Sequence, residues 1–416
     1  MEKYRLGIGF IGGGFISRFH IQSLLGVRDV DVVGVVSKTK QSAEDTAALA
    51  NELGVGPAKA FDTITEMVED PGVDALWVCS PNYTRIETFE EIANAVSSSK
   101  GELIGVACEK PLGRNVAEAK KVLELTQSAD LLDGYLENQV FSPSITRGKE
   151  IIWARGAATT GRPFLARAAE EHSGPHMPWF WEGELQGGGV LNDMMCHSVE
   201  EARFLLTEPG KPRDSIKPIS VSAHTDCLKW QRPKYADILS KNSGGKTDYS
   251  QRPSEDFARS LIEYLDENGE KIIVETTTSW CFVGEGLRLS MELFGPEYSM
   301  FVNTLDPDLK VFFSREVSGE AGEDLVEKQN AESGGMPVVS NEAEVYGYTA
   351  ENRHMVESFL AGKRPEENFS DGVNVTELLM TAYMSAEQGQ TITFPPPELD
   401  TFIPAVARGE WNPRSK

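Results

Sequence analysis

Over its first 140 residues the chain alternates short apolar runs with segments whose apolar residues recur every three or four positions. Leu6-Gly7-Ile8-Gly9-Phe10-Ile11 is a β-prone run, and residues 15–26 then space Phe15, Ile16, Phe19, Leu24 and Leu25 as a helix does. Val30–Val36 is almost wholly aliphatic, as a strand covered on both faces should be. Residues 73–80, 103–108 and 132–136 read as further strands, with helices over 85–97 and 115–127. Strand and helix in alternation predict a mostly parallel, doubly wound sheet, in which ligands bind beyond the carboxyl ends of the strands.

After about residue 140 the period changes. Residues 163–169, 219–228, 256–265, 271–282, 287–295 and 311–313 read as strands, and Asp266-Glu267-Asn268-Gly269 is a strong hairpin signal between two of them. This predicts an open, mainly antiparallel sheet in a second domain, so the fold class is α/β followed by α+β. The expected division is 1–140 and 141–416, with late helices within 352–388 near the domain junction. Two polar stretches interrupt the second domain. Both 229–255 and 314–344 read as loops, the first a candidate lid and the second acidic and solvated. No internal repeat is found.

The glycines give the first domain its chemistry. Gly12-Gly13-Gly14-Phe15-Ile16-Ser17 stands between a strand and a helix, the context that turns a loose glycine pattern into a dinucleotide fingerprint. Gly12 suits the tight turn, and Gly14 lets backbone approach a pyrophosphate resting on the helix amides beside Phe15 and Ile16. An NAD site usually places an acid about 20 residues further on. Here the chain reads Ser37-Lys38-Thr39-Lys40, and Ser37, Lys38 and Lys40 suit a 2′-phosphate, favouring NADP over NAD. The bland alternative for Lys38 and Lys40 is a pair of solvated lysines. Ser80-Pro81-Asn82 and Glu109-Lys110-Pro111 each follow a strand, so the sheet brings them to the same edge; a charged turn is the simpler reading of the second.

Gly187-Gly188-Gly189 precedes an amphipathic helix over 190–206, on which Asp193 and His197 are four apart and share a face. An aspartate beside an imidazole suits a general base near neutral pH. A surface ion pair, or a metal pair lacking further ligands, would look the same. His172, Trp179 and Trp181 precede the glycines in an aromatic stretch that either walls a sugar site or packs as a loop; His20 and His354 read as structural.

Composition adds limits. The net charge of −24 argues against nucleic acid or anionic membrane as partners. No apolar run is long enough to span a bilayer, and a strand so near the start of the chain sets the expectation that no signal peptide is present. Five scattered cysteines without a C-x-x-C pair fit reduced thiols in a cytoplasm.

These motifs, in this order, resemble the Gfo/Idh/MocA family, relatives of glucose–fructose oxidoreductase and inositol dehydrogenase. The likeness runs from Gly12 through Ser80-Pro81-Asn82 and Glu109-Lys110-Pro111 to Gly188-Gly189-Val190-Leu191-Asn192-Asp193-Met194-Met195-Cys196-His197. It implies a Rossmann domain and an open sheet domain, often associating into a dimer or tetramer. It also implies a nicotinamide at the domain junction beside the Lys-Pro pair, and a carbohydrate substrate. The implied reaction is hydride transfer to or from a sugar or polyol, with Lys110, Asp193 and His197 as its catalytic groups. A redox-neutral enzyme with tightly held nucleotide and a non-catalytic NADP sensor are the alternatives. Three features depart from the family pattern: Met195 where a small residue is frequent, Arg85 where a histidine often follows the Pro-Asn motif, and the long 229–255 insertion.

Overall fold

The computed structural model describes residues 4–284, 286–306, 309–313, 334–339 and 341–414. The chain forms two compact units: Met1–Pro143 with Ala343–Asn374, and Ser144–Glu342 with Val375–Lys416.

The first unit is built on β1 (Leu6–Ile11), β2 (Val30–Val36), β3 (Lys59–Ala60), β4 (Ala75–Val78), β5 (Gly105–Glu109) and β6 (Leu132–Leu136). Their order is β3-β2-β1-β4-β5-β6, and every pair is parallel. Strand order therefore reverses between β1 and β4, which is where such sheets leave a crevice. The connecting helices are α1 (Phe15–Ser23), α2 (Lys40–Glu52), α3 (Ile64–Val68), α4 (Arg85–Ser97) and α5 (Val116–Ser128). β1, β4 and β5 are buried along their whole length, which is why they read as unbroken apolar runs. Met67, Leu76, Val78, Phe89, Ile92 and Val106 belong to one continuous core.

One element of this unit comes from far along the chain. Sequence order groups residues 352–360 with the second domain, but the helix Tyr348–Leu360 packs here. Phe359 meets Trp77 edge-on with centroids 5.9 Å apart, and Tyr348 meets Phe19 at 4.7 Å. Its apolar stripe says that it is buried against something, not against what.

The second unit is a seven-stranded sheet of β7 (Leu165–Glu171), β8 (Lys217–Asp226), β9 (Phe257–Leu265), β10 (Lys271–Ser279), β11 (Arg288–Gly295), β12 (Tyr298–Asn303) and β15 (Ile392–Thr393). The order is β12-β11-β7-β10-β9-β8-β15, antiparallel except for the parallel pair β7 and β10. The hairpin predicted at 266–269 is present: Asp266 Oδ1 accepts from the amides of Asn268 and Glu270, and Gly269 takes φ +82°. The helix Val190–Leu206 is buried at all of its positions. The boundary between the units falls within the helix Phe369–Gln388.

Both polar stretches read as loops carry regular elements among their described residues. The first carries the helix Pro233–Asn242. In the second, β14 (Gly334–Val338) pairs antiparallel with β13 (Leu309–Phe313), and a short helix Glu342–Val345 follows; residues 314–333 lie outside the described residues. Among the described residues no helix is long and apolar enough to cross a membrane, and all five cysteines are unbridged.

Candidate active site

In the first unit the glycine turn joins β1 to α1 at the carboxyl edge of the sheet. Gly12 sits at φ +112°, a conformation that strains any side chain, and a Cβ there would lie 2.9 Å from the Cys79 carbonyl oxygen. A Cβ on Gly14 would meet nothing within 4 Å, so the backbone there borders open space. No side chain caps α1 and no acid lies in its first turn. The turn is held from α2: Ser42 and Thr46 both donate their hydroxyls to the Gly13 carbonyl, at 3.1 and 3.2 Å. A rigid turn, an uncapped helix N-terminus and room in front of it fit a dinucleotide pyrophosphate. Phe15 and Ile16 supply the first turn of that helix.

Ser37 follows β2 directly and is half-buried; Lys38 and Lys40 are exposed. Lys40 lies 3.6 Å from Asp62, whereas Thr39 is committed to capping α2 through the Ser42 amide.

Ser80, Pro81 and Asn82 follow β4, with Asn82 buried, and the Thr84 hydroxyl pins them by bonding Ser80 Oγ at 2.9 Å and the Pro81 carbonyl at 2.8 Å. Glu109-Lys110-Pro111 follows β5, the next parallel strand, so these turns share one edge with the glycines. Arg85 clamps the second of them. Its buried guanidinium donates through Nη1 to the carbonyls of Glu109 and Pro111 and to Cys108 Sγ. The family departure at position 85 thus has a structural role, fixing the backbone on both sides of half-buried Lys110.

Glu109 is held as firmly. Its Oε1 accepts from His20 Nε2 at 2.9 Å, and its Oε2 from the Lys110 amide at 3.0 Å. The His20 tautomer follows from its other neighbours. Trp77 Nε1–H donates to Asn352 Oδ1 at 2.8 Å, which turns the Asn352 amide nitrogen towards His20 Nδ1 at 2.9 Å. Nδ1 is then the acceptor, and Nε2 carries the proton given to Glu109. Burial alone would raise the Glu109 carboxyl; the hydrogen bond from His20 and the positive charges of Lys110 and Arg85 outweigh it and hold the group below its ordinary value. Glu109 is an anion beside the lysine at neutral pH. Glu351, next to Asn352, is the opposite case. Among the described residues neither of its carboxyl oxygens has a hydrogen-bond partner, and burial, with Glu109, Glu137 and Glu367 nearby, pushes it well above the carboxylate range.

In the second unit Asp193 and His197 are both buried, 4% and 3% exposed, so a surface ion pair is excluded. Trp280 donates its indole N–H to Asp193 Oδ2 at 3.3 Å, and Glu170 of β7 lies 3.9 Å from His197 Nε2. The helix that carries them starts at Gly189, which has no capping side chain of its own. Its cap comes from afar. Glu255 Oε1 accepts from the amides of Gly189 and Leu191, the Glu255 carbonyl accepts from Val190, and the Tyr383 hydroxyl accepts from Gly189 and Asn192 while donating to Glu255. Burial raises the Glu255 carboxyl, the Tyr383 and amide bonds oppose that, and it comes to rest at about 7.

The aromatic residues divide. Trp181 is buried in a cluster with Trp230, Tyr249 and Trp280, and its N–H is bonded to the Pro175 carbonyl. Its burial among these rings matches the packed-loop alternative. His172 is buried, with Nδ1 accepting the Gly174 amide. Trp179 is half-buried and stacked on Phe180 with centroids 3.8 Å apart.

Comparison with known proteins decides the family. A family model described as the oxidoreductase family, NAD-binding Rossmann fold, matches residues 6–132, and one for the GFO/IDH/MocA C-terminal domain matches 156–300. The chain belongs to the Gfo/Idh/MocA family. Among curated relatives, the myo-inositol 2-dehydrogenase of Thermotoga maritima is 29% identical over 202 residues, covering 48% of this chain and 55% of the relative. The levoglucosan dehydrogenase of Pseudarthrobacter phenanthrenivorans is 24% identical over 327 residues, covering 76% and 78%. The chain spans about half the length of most curated relatives that it matches. GenD2 from gentamicin A biosynthesis, solved in complex with NAD, shares the fold with TM-score 0.74 at 24% identity, covering 95% of this chain and 98% of that one. A levoglucosan dehydrogenase in complex with NADH and levoglucosan gives TM-score 0.66 at 18% identity, over 94% and 100%.

As in its family, then, this member has a Rossmann unit and a sheet unit. Sequence reading took His20 as structural, as it is, and missed the other residues that hold the candidate groups in place: Arg85 and Asn352 in the first unit, and Glu170, Glu255, Trp280 and Tyr383 in the second. A buried arginine or glutamate leaves no periodic mark, and each partner lies far away in sequence. Arg85 alone gave a signal, as a departure from the family pattern.

Proposed function

We propose that this chain is an NAD(P)-dependent oxidoreductase that moves a hydride between a nicotinamide and a secondary hydroxyl or ketone of a sugar or polyol. The observation that carries the reading is the carboxyl edge of the Rossmann sheet. There, an uncapped helix N-terminus with open space before it shares an edge with a lysine fixed by buried Arg85 and Glu109. Inositol, levoglucosan and 1,5-anhydro-D-fructose enzymes among the relatives support a sugar or polyol as substrate class.

A bound nicotinamide supplies the hydride acceptor or donor. The chain's own groups do the rest. The reading assigns Gly12, Gly14, Phe15, Ile16, Ser80, Pro81, Asn82, Glu109 and Lys110 to the cofactor's surroundings. Lys110 steadies negative charge on the substrate oxygen as the C–H bond breaks, a preorganised electrostatic role. His197 takes the hydroxyl proton through an imidazole held near Glu170. Asp193, itself oriented by the Trp280 N–H, sets the local charge. His172 and Trp179 are the remaining substrate candidates. NADP is favoured over NAD through Ser37, Lys38 and Lys40. We place the protein in the cytoplasm as a homo-oligomer, without nucleic acid or membrane as partner.

The decisive test is Lys110→Met. Turnover should fall by at least about 100-fold with nucleotide affinity nearly unchanged; activity within tenfold of wild type would remove Lys110 from the mechanism. A fluorescence titration with NADPH and with NADH tests the cofactor preference, and tighter NADH binding overturns it.

A further inference from the structure

We propose that Glu255 and Tyr383 form a positioning pair for the proposed active site, fixing the N-terminus of the helix that carries Asp193 and His197. The inference rests on the roles just proposed for those two residues.

A helix leaves its first four amides without internal partners, and a nearby Ser, Thr, Asp or Asn usually takes one of them while water takes the rest. Here Gly189 offers no side chain, and the helix is buried throughout. Two residues, 66 and 194 positions away from Gly189, take the load. Between them, the Glu255 carboxylate and carbonyl and the Tyr383 hydroxyl engage the amides of Gly189, Val190, Leu191 and Asn192. The first intrahelical bond, from the Asp193 amide to the Gly189 carbonyl, begins where this cap ends. Asp193 therefore stands one residue beyond the clamp, and His197 one turn further. A slip or rotation at the helix start moves both side chains together.

The insertion 229–255 enters this support at both ends. Its last residue is Glu255. Near its start, Trp230 gives its amide to Asp256 at 2.7 Å and its indole N–H to the Trp280 carbonyl at 2.7 Å, and Trp280 in turn bonds Asp193. Tyr249 and Ser254, inside the insertion, close the path: the Tyr249 hydroxyl bonds the Ser254 carbonyl, and Ser254 Oγ the Trp181 carbonyl. This long insertion thus braces the helix rather than standing apart from it.

The test uses the full-length protein with ¹⁵N-labelled histidine, following the His197 ring by NMR across pH, alongside kcat and KM with the best sugar substrate. Glu255→Ala should move the His197 titration midpoint by about half a pH unit and lower kcat about tenfold, with KM within about twofold. Glu255→Gln keeps an acceptor oxygen at the cap and should restore both values to near wild type. If Glu255→Ala lowers the melting temperature but leaves the His197 titration and kcat unchanged, the pair is a structural cap only and the proposal fails. Should Glu255→Ala not fold, Tyr383→Phe is read in the same way: a moved His197 titration supports the pair, an unmoved one overturns it. The NMR reading needs no substrate, so absence of turnover with any sugar would count against the proposed function and leave this test intact.

Discussion

Two helices in this protein begin after three consecutive glycines, and the two starts are physically opposite. At Gly12-Gly13-Gly14 the amides of α1 face open space, with no capping side chain and no acid in the first turn. At Gly187-Gly188-Gly189 the space is full: a Cβ on Gly188 would lie 2.0 Å from the Tyr383 hydroxyl, and one on Gly189 2.5 Å from the Glu255 carbonyl. The same sequence device serves two ends. In the first unit glycine leaves open space before the positive end of a helix. In the second it makes room for a carboxylate and a phenol of the protein itself, which satisfy that end internally. A helix N-terminus whose donors are already taken positions side chains and leaves nothing for an anion.

That contrast can be broken most strongly at the first glycines. Gly14→Asp places a carboxylate where the pyrophosphate is expected, in space that accepts a side chain. Nucleotide affinity should fall at least about 100-fold, while the melting temperature holds or rises because aspartate is a good N-cap. Titration and thermal melts on one sample check both halves. An affinity drop under threefold would mean that the α1 amides do not face the cofactor.

The mirror experiment is Gly188→Ala. The added methyl collides with Tyr383, so stability should fall by about 2 kcal/mol while nucleotide affinity stays within twofold. Chemical denaturation gives the first number. A stable variant would show that the cap yields without cost.

Glu255→Gln sharpens the electrostatic side of the comparison. The Glu255 carboxyl rises from 4.5 to about 7 in the fold, so the folded state holds its proton more tightly than the unfolded chain does. Its contribution to stability is therefore full below about pH 4.5 and is lost as pH rises through 7, with a slope of up to about 1.4 kcal/mol per pH unit. Replacement by glutamine should flatten the decline in that window, and raised Glu351 leaves a residual slope. An unchanged stability profile would place the Glu255 proton elsewhere.

The smallest effect is expected at the adenosine end. Lys38→Ala should weaken NADPH binding three- to fivefold, about 1 kcal/mol or less for one exposed charge, and leave NADH unaffected. Equal loss for both nucleotides would assign Lys38 a general electrostatic role instead.

Much of this was legible in the chain. Mostly apolar runs identified β1, β2 and β4 to β6, interrupted only by Asp31 in β2 and Asp133 in β6 and closed by Glu109 in β5, because a parallel strand covered on both faces admits few polar residues. Asp266 and Gly269 announced their hairpin through local turn chemistry. Glycines after a strand, a lysine after a strand and an acid four residues from a histidine marked the candidate groups, since each depends on near neighbours in sequence.

What holds those groups was not legible. The sequence determined the strand and helix periods, the two glycine-led helix starts and the residue types available for chemistry, all of which are set by local backbone preference and spacing. Only the tertiary structure decided that one start is open and the other filled. It alone put the helix Tyr348–Leu360 beneath Trp77, the Arg85 guanidinium on the carbonyls around Lys110, and Glu255 with Tyr383 on the Gly189 amides. The reason is that a buried polar group is satisfied by whichever partner the fold carries to it, and that partner has no fixed distance along the chain.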